Sequence, residues 1–92
     1  MSISADFEAA QARVKTLKST PTPAELLELY GLFKQGTQGD VTGPRPGMLD
    51  FKGRAKFDAW EQRKGLAPDA AQKAYVDLVA TLEARYGLSL PD

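Results

Sequence analysis

Residues 22–36 have the sequence TPAELLELYGLFKQG, which contains both the start and the stop signal of an amphipathic helix. Thr22 can cap this helix, Pro23 suits its first position, and Glu25 can complete a capping box. Apolar side chains then follow at helical spacing and form one stripe: Leu26, Leu29, Tyr30 and Phe33. Gly36 supplies the predicted end of the helix.

Three further segments have helical spacing, which predicts one helix before this one and two after it. The first helix contains apolar residues at spacings of three and four: Phe7, Ala10, Val14 and Leu17. The third is expected to begin after the cap Asp50 and to reach about Lys64, and the fourth to run from Pro68 to Tyr86. Because no segment alternates like a strand, we expect an all-α four-helix bundle that forms a single domain over residues 1–92.

Residues 36–49 are predicted to form a long loop between helices two and three. This stretch contains four glycines and two prolines, which is untypical of a helix. Although it is rich in glycine, it matches no phosphate-binding fingerprint, and no strand precedes it. A long loop in a small domain is often functional.

The composition excludes most kinds of catalysis. The chain of 92 residues has neither cysteine nor histidine, so thiolate nucleophiles, histidine bases and the usual zinc sites are impossible. Any catalysis would have to use carboxylates, lysines or tyrosines, so the composition favours a binding protein over an enzyme, and we predict no catalytic residue and no metal ligand. The N-terminus lacks a signal peptide and no segment is long enough to span a membrane, so we expect a cytoplasmic protein without membrane insertion.

The charges are balanced overall but unevenly distributed. Twelve basic residues match twelve acidic ones, which argues against a nucleic-acid binder. Residues 31–65, however, carry seven basic and four acidic side chains. Tyr30, Phe33 and Lys34 share one helical face, and Lys52 and Lys56 are neighbours on the next helix.

Two interpretations of this basic and aromatic set remain open. In one, the rings stack on a flat heterocycle while the lysines meet its phosphates. In the other, Tyr30 and Phe33 are core residues and the lysines are merely solvated, as in a helical protein-interaction module without a small-molecule ligand. Tyr75 is ambiguous in the same way, because its ring can pack while its hydroxyl reaches outward.

Several stretches of the sequence resemble the acyl-CoA-binding protein family. The most specific is RPGMLDFKGRAKFDAW at residues 45–60, since helical periodicity alone does not produce so long an ordered string. The other matching runs are YGLFKQ at 30–35, GDV at 39–41, KAYV at 73–76 and the closing Tyr86-Gly87. The resemblance extends from about Phe7 to Leu88, which is nearly the whole chain.

The resemblance implies a four-helix bundle with a long loop between helices two and three. It implies a non-enzymatic carrier and pool former for medium- and long-chain fatty acyl-CoA that needs no other cofactor. A monomer that hands its ligand to acyl-CoA-using enzymes is expected. The ligand-binding residues implied by the family are Lys15, Tyr30, Gly31, Leu32, Phe33, Lys34, Lys52, Lys56 and Tyr75. The residues implied to line the acyl groove are Phe7, Ala10, Val14 and Leu27.

Two positions depart from the pattern of the family. Phe33 stands where the family usually has a tyrosine, so the ring is kept and the hydroxyl is lost. Phe57 stands where the family usually has a tryptophan, which reduces the ring volume and removes an indole donor. Neither change removes a lysine, so we expect both to bear on affinity.

Overall fold

Four helices are the regular elements of the computed structural model, which describes residues 3–87 and their side chains from Ala5 onward. The helices are α1 (Ile3–Val14), α2 (Pro23–Gln38), α3 (Phe51–Glu61) and α4 (Pro68–Tyr86). The predicted all-α architecture is confirmed. The long loop after α2 is also present and covers residues 39–50. No helix within residues 3–87 has both the length and the apolar character needed to cross a membrane.

The local start signals act as their residue types predict. At α2, the Thr22 hydroxyl accepts a hydrogen bond from the Glu25 N–H at 3.2 Å, and the Glu25 carboxylate accepts one from the Thr22 N–H at 2.8 Å. At α3, the Asp50 carboxylate accepts from the Gly53 N–H at 2.9 Å. The reciprocal pair at α2 and the single bond at α3 satisfy backbone donors that have no partner inside the helix.

Three predicted helix ends are wrong. Helix α1 ends at Val14, so Leu17 lies beyond the helix and not within it, and residues 15–16 form a turn. Helix α2 continues through Gly36 to Gln38 and ends at Gly39, whose φ of 78° suits only glycine well. Gly36 is buried inside the helix, where an added Cβ would lie 2.9 Å from Cγ of Gln72 on α4. Its lack of a side chain therefore serves close packing of two helices. Helix α3 ends at Glu61, before the predicted Lys64, and a turn follows it.

The spatial order of the helices is α1–α4–α2–α3, so α2 lies between α4 and α3. The main core is built from α1, α2 and α4 and consists of Phe7, Ala10, Leu29, Leu32, Tyr75, Val79 and Leu82. Helix α3 contributes a single buried side chain, Trp60. Helix α3 consequently lies outside the main core.

The first residues of the long loop are tied to the turn after α3. The Asp40 carboxylate accepts hydrogen bonds from the Gly65 N–H at 2.8 Å and from the Gln35 amide at 2.9 Å. These two donors, Gly65 before Gln35, lower the pKa of Asp40 below its usual value. The Trp60 indole N–H donates to the Gly39 carbonyl at 2.7 Å. Together these bonds hold α3 against the C-terminal end of α2.

A second polar cluster joins the start of α2 to the end of α4. The Glu25 carboxylate is buried and accepts hydrogen bonds from the Tyr86 hydroxyl and from Arg85. The Tyr86 hydroxyl bond is the largest cause that lowers the pKa of Glu25 to about 2, followed by the Thr22 backbone N–H. The same carboxylate thus closes the capping box of α2 and anchors α4.

Candidate functional site

Two lysines and two rings face each other across the boundary between α2 and α3. The Lys34 ammonium of α2 lies 4.8 Å from the ring centroid of Trp60 on α3. The Lys56 ammonium of α3 lies 5.4 Å from the ring centroid of Tyr30 on α2. Within residues 3–87, neither lysine forms an ion pair, since the three ion pairs there all use arginines. Both positive charges are therefore available to an anionic ligand.

An apolar groove of about 340 Å³ opens beside Lys56. Its walls come from the start of α2 and the start of α3: Pro23, Leu26, Leu27, Phe51 and Ala55. Lys52 and Lys56 stand on its border. Phe51 is 77% exposed and Leu26 is 45% exposed, so the groove presents uncovered apolar surface to solvent. The size is within the range of small-molecule sites, and an apolar chain would gain free energy by covering these walls.

Three aromatic rings form a cluster where α1, α2 and α4 meet. The Phe7 ring meets Tyr75 edge to face, with centroids 5.1 Å apart, and lies 6.1 Å from Phe33. Tyr75 is buried, and this burial raises the pKa of its hydroxyl. Phe33 is half-buried and packs against the core. The cluster therefore links α1 and α4 to the face of α2 that carries Tyr30 and Lys34.

The structure brings together only part of the predicted ligand-binding set. The residues at the α2–α3 boundary are Tyr30, Lys34, Lys52 and Lys56, with Phe33 next to them on α2. Leu32 and Tyr75 lie in the core, and Gly31 is buried where α2 meets α3. Lys15 is exposed in the turn after α1, a helix that packs on α4.

Of the predicted acyl-groove residues, one lies at the open groove and three lie in or against the core. Leu27 lines the open groove. Phe7 and Ala10 are buried in the core, and Val14 is partly buried against it. Four groove residues were not in the predicted set: Pro23, Leu26, Phe51 and Ala55. Their signal in the sequence was the apolar i, i+4 pair Phe51 and Ala55, which interleaves with Lys52 and Lys56 on α3.

Metal-binding side chains are not clustered in the part of the chain that the structure describes. No group of three or more His, Cys, Asp or Glu side chains there is arranged to hold a metal ion. The arrangement that does exist is amphipathic, with an open apolar groove at one end and unpaired ammonium groups and rings at the other. Such a site suits a ligand that has a long apolar part and a compact anionic, aromatic part.

The chain is similar to known proteins of one family. The family profile described as "Acyl CoA binding protein" matches residues 4–79. The chain is 62% identical over 81 residues to acyl-CoA-binding protein homolog 1 of Caenorhabditis elegans, with 88% of this chain and 94% of the relative covered. It is 51% identical over 89 residues to the acyl-CoA-binding protein homolog of Manduca sexta, with 96% and 99% covered.

The fold leads to the same family. The crystal structure of acyl-CoA-binding protein 2 of Oryza sativa superposes with a TM-score of 0.86 at 37% identity, and the match covers 90% of each chain. The profile match, the high identities over nearly the whole chain and the shared four-helix fold agree. This chain belongs to the acyl-CoA-binding protein family.

Proposed function

We propose that the protein binds coenzyme A thioesters of medium- and long-chain fatty acids and acts as a cytoplasmic carrier that forms a pool of them. The observation that carries this proposal is the amphipathic site at the α2–α3 boundary. Its apolar groove is bordered by Lys52 and Lys56, and Lys34 lies across the same boundary. Membership of the family supports the choice of acyl-CoA among amphipathic anions.

The head group of acyl-CoA matches the polar end of this site. Coenzyme A combines an adenine ring with a pyrophosphate and a 3′-phosphate. Lys34 and Lys56 would donate charge-assisted hydrogen bonds to the phosphates, and Lys52 and Lys15 would add positive potential. Tyr30 and Phe33 would present ring faces to the adenine. Because Tyr75 is buried against Phe7, we assign it the support of this aromatic surface.

The acyl chain matches the apolar end. Leu27, Leu26 and Phe51 offer exposed or half-exposed surface that the chain would cover. Each buried methylene contributes about 0.8 kcal/mol at best, so a sixteen-carbon chain has a ceiling of about 10 kcal/mol before the cost of association. The remaining predicted residues do not line the groove, and we assign them the support of the bundle: Phe7, Ala10, Val14 and Leu32 at the core and Gly31 where α2 meets α3.

Titration calorimetry with three ligands tests the proposal. We expect palmitoyl-CoA to bind far more tightly than either free coenzyme A or free palmitate, because head and tail contact separate parts of one site. Equal affinity for palmitate and palmitoyl-CoA would remove the head-group half of the proposal. Absence of heat with all three ligands would instead favour the interaction-module alternative.

We also propose that the protein does not turn its ligand over. No histidine or cysteine is present to act as an activated nucleophile or its base. Burial of the chain in the groove should instead slow hydrolysis of the thioester by water. Palmitoyl-CoA incubated with stoichiometric protein should release free thiol no faster than a protein-free control. Faster release that disappears with one point mutation would establish an enzymatic activity.

Monomeric action and delivery of the ligand to acyl-CoA-using enzymes complete the proposal. A site formed by α2 and α3 of one chain needs no second copy for its residues. Sedimentation velocity should give a mass near the 10.0 kDa of one chain, with and without palmitoyl-CoA. A dimer that forms only with the ligand would show that two copies share the acyl chain.

A further inference from the structure

Lys34 and Trp60 form the shorter of the two contacts between an ammonium and a ring at the α2–α3 boundary. The Lys34 ammonium lies 4.8 Å from the Trp60 centroid, compared with 5.4 Å for Lys56 and Tyr30. Tryptophan has the strongest attraction for cations among the aromatic side chains. This contact is therefore the stronger candidate for holding a lysine in place before any ligand arrives.

The Trp60 ring is fixed, and the long, flexible side chain of Lys34 reaches over it. Trp60 is only 8% exposed, and its indole N–H donates to the Gly39 carbonyl at 2.7 Å. The backbone before it is equally constrained, since Gly31 of α2 approaches the Ala59 carbonyl so closely that a Cβ would not fit. The hydrogen bond to the loop, the close contact with α2 and the burial of the side chain together set the orientation of the Trp60 ring. Lys34 would otherwise lose several side-chain rotamers when it meets a ligand.

A ring holds a lysine differently from a carboxylate. Arg45 and Asp58 illustrate the usual case at the protein surface, where a bidentate ion pair neutralises both charges. A lysine paired in that way would have to exchange its partner for the ligand. A ring face restricts the ammonium without cancelling its charge and leaves N–H donors on the side away from the ring.

We propose that Trp60 is a positioning residue for ligand recognition, whose indole face holds the Lys34 ammonium at the α2–α3 boundary ready for the anionic head group of the ligand. The inference rests on the proposed function, because Trp60 acts on the ligand only through Lys34. It adds a role for a residue that contributes no hydrogen-bond donor to the ligand, since its indole N–H is already bonded to Gly39.

Fluorinated tryptophans test this role without changing the shape of the core. Trp60 is the only tryptophan of the chain, so biosynthetic incorporation alters a single site. Fluorine withdraws electron density from the ring face and weakens its attraction for a cation, while the indole N–H is kept. From 5-fluorotryptophan to tetrafluorotryptophan, we expect affinity for palmitoyl-CoA to fall stepwise, by about 2- to 10-fold at the end of the series. The melting temperature should stay nearly constant.

The same series in a Lys34→Met protein is the decisive control. Methionine keeps an apolar stem but removes the ammonium, so fluorination should then leave affinity unchanged. An equal fall in both backgrounds, or no fall in either, would overturn the positioning role. If the unmodified protein does not bind palmitoyl-CoA at all, the proposed function itself is wrong.

A measurement on the free protein separates these outcomes further. Protons of the Lys34 ε-methylene should resonate upfield in the ring current of Trp60, and Trp60→Leu should abolish this shift. Ordinary lysine shifts in the wild-type protein would refute the contact whether or not palmitoyl-CoA binds. Lys73, exposed on α4 away from the rings, provides the reference lysine in the same spectrum.

Discussion

Gly31→Ala adds one methyl group at the point where α2 and α3 touch. The added Cβ would lie 2.9 Å from the Ala59 carbonyl carbon, closer still to its oxygen, and 3.4 Å from the Trp60 nitrogen. All three are backbone atoms of α3, so no side chain can rotate away to make room. The two helices must separate, and the contacts that cross their boundary must lengthen.

Two opposing effects set the size of the change in stability. Alanine is favoured over glycine inside a helix by about 1 kcal/mol. Overpacking against neighbouring groups costs typically about 1–3 kcal/mol, and a rigid backbone contact belongs in the upper part of that range. We therefore expect a net loss of about 1–2 kcal/mol in the free energy of unfolding. For a chain of this length, the melting temperature should fall by about 4–12 °C.

Affinity should fall as well, because Lys34 and Lys56 each lie over a ring on the opposite helix. We expect palmitoyl-CoA to bind about 3- to 10-fold more weakly when α3 is displaced. Urea denaturation measures the stability, and titration calorimetry measures the affinity.

Gly36→Ala is the matched control for this substitution. Gly36 lies in the same helix and gains the same helical propensity, but the nearest atom to its added Cβ is Cγ of the flexible Gln72 side chain, at 2.9 Å. Its stability should stay within about 1 kcal/mol of the wild type. If Gly31→Ala is more stable than the wild type and binds palmitoyl-CoA equally well, the close approach of α2 and α3 has no role in the site.

Three further outcomes are expected. Lys34→Ala and Lys56→Ala should each weaken palmitoyl-CoA binding by about 1.5–3 kcal/mol in calorimetry and reduce the salt dependence of binding. The control Lys73→Ala should do neither, and wild-type affinity in the first two variants would place the phosphates elsewhere. Phe33→Tyr should keep or strengthen palmitoyl-CoA binding, and Phe33→Ala should weaken it by about 1–3 kcal/mol. A marked loss of melting temperature in Phe33→Tyr without better binding would show that Phe33 is a core residue only. Glu25→Gln should lower the melting temperature at neutral pH. Because the folded pKa of Glu25 is about 2, against an ordinary value of 4.5, the difference in melting temperature between wild type and variant should be full above about pH 5 and shrink as the pH falls towards 2. A difference that does not change with pH would show that the carboxylate charge is not what stabilises the cluster.

Local signals in the sequence predicted the helices because they act within a few residues of each other. The capping box of Thr22 and Glu25 and the cap Asp50 form as expected. Gly36 shows where such signals fail, since a glycine that ends a helix and a glycine that admits a neighbouring helix have the same local sequence. Only the position of Gln72 on α4 distinguishes the two cases.

The candidate site likewise has features that the sequence predicted and features that it did not. Helical spacing placed Tyr30, Phe33 and Lys34 on one face of α2, and the family resemblance supplied the type of ligand. Spacing within one helix does not show which face is covered by the rest of the molecule. Packing of α1 against α4 buries Phe7 and Tyr75 and leaves Phe33 half-covered.

The charge and aromatic content of the site could thus be known from the chain itself, because a lysine or a ring keeps its chemistry in any fold. The pairing of Lys34 with Trp60 could not, because these residues lie on different helices and meet only where α2 and α3 pack together. The open groove has the same origin, as its walls come from the first turns of two helices separated by a long loop. Contacts between distant segments depend on the whole balance of packing, which no local pattern encodes.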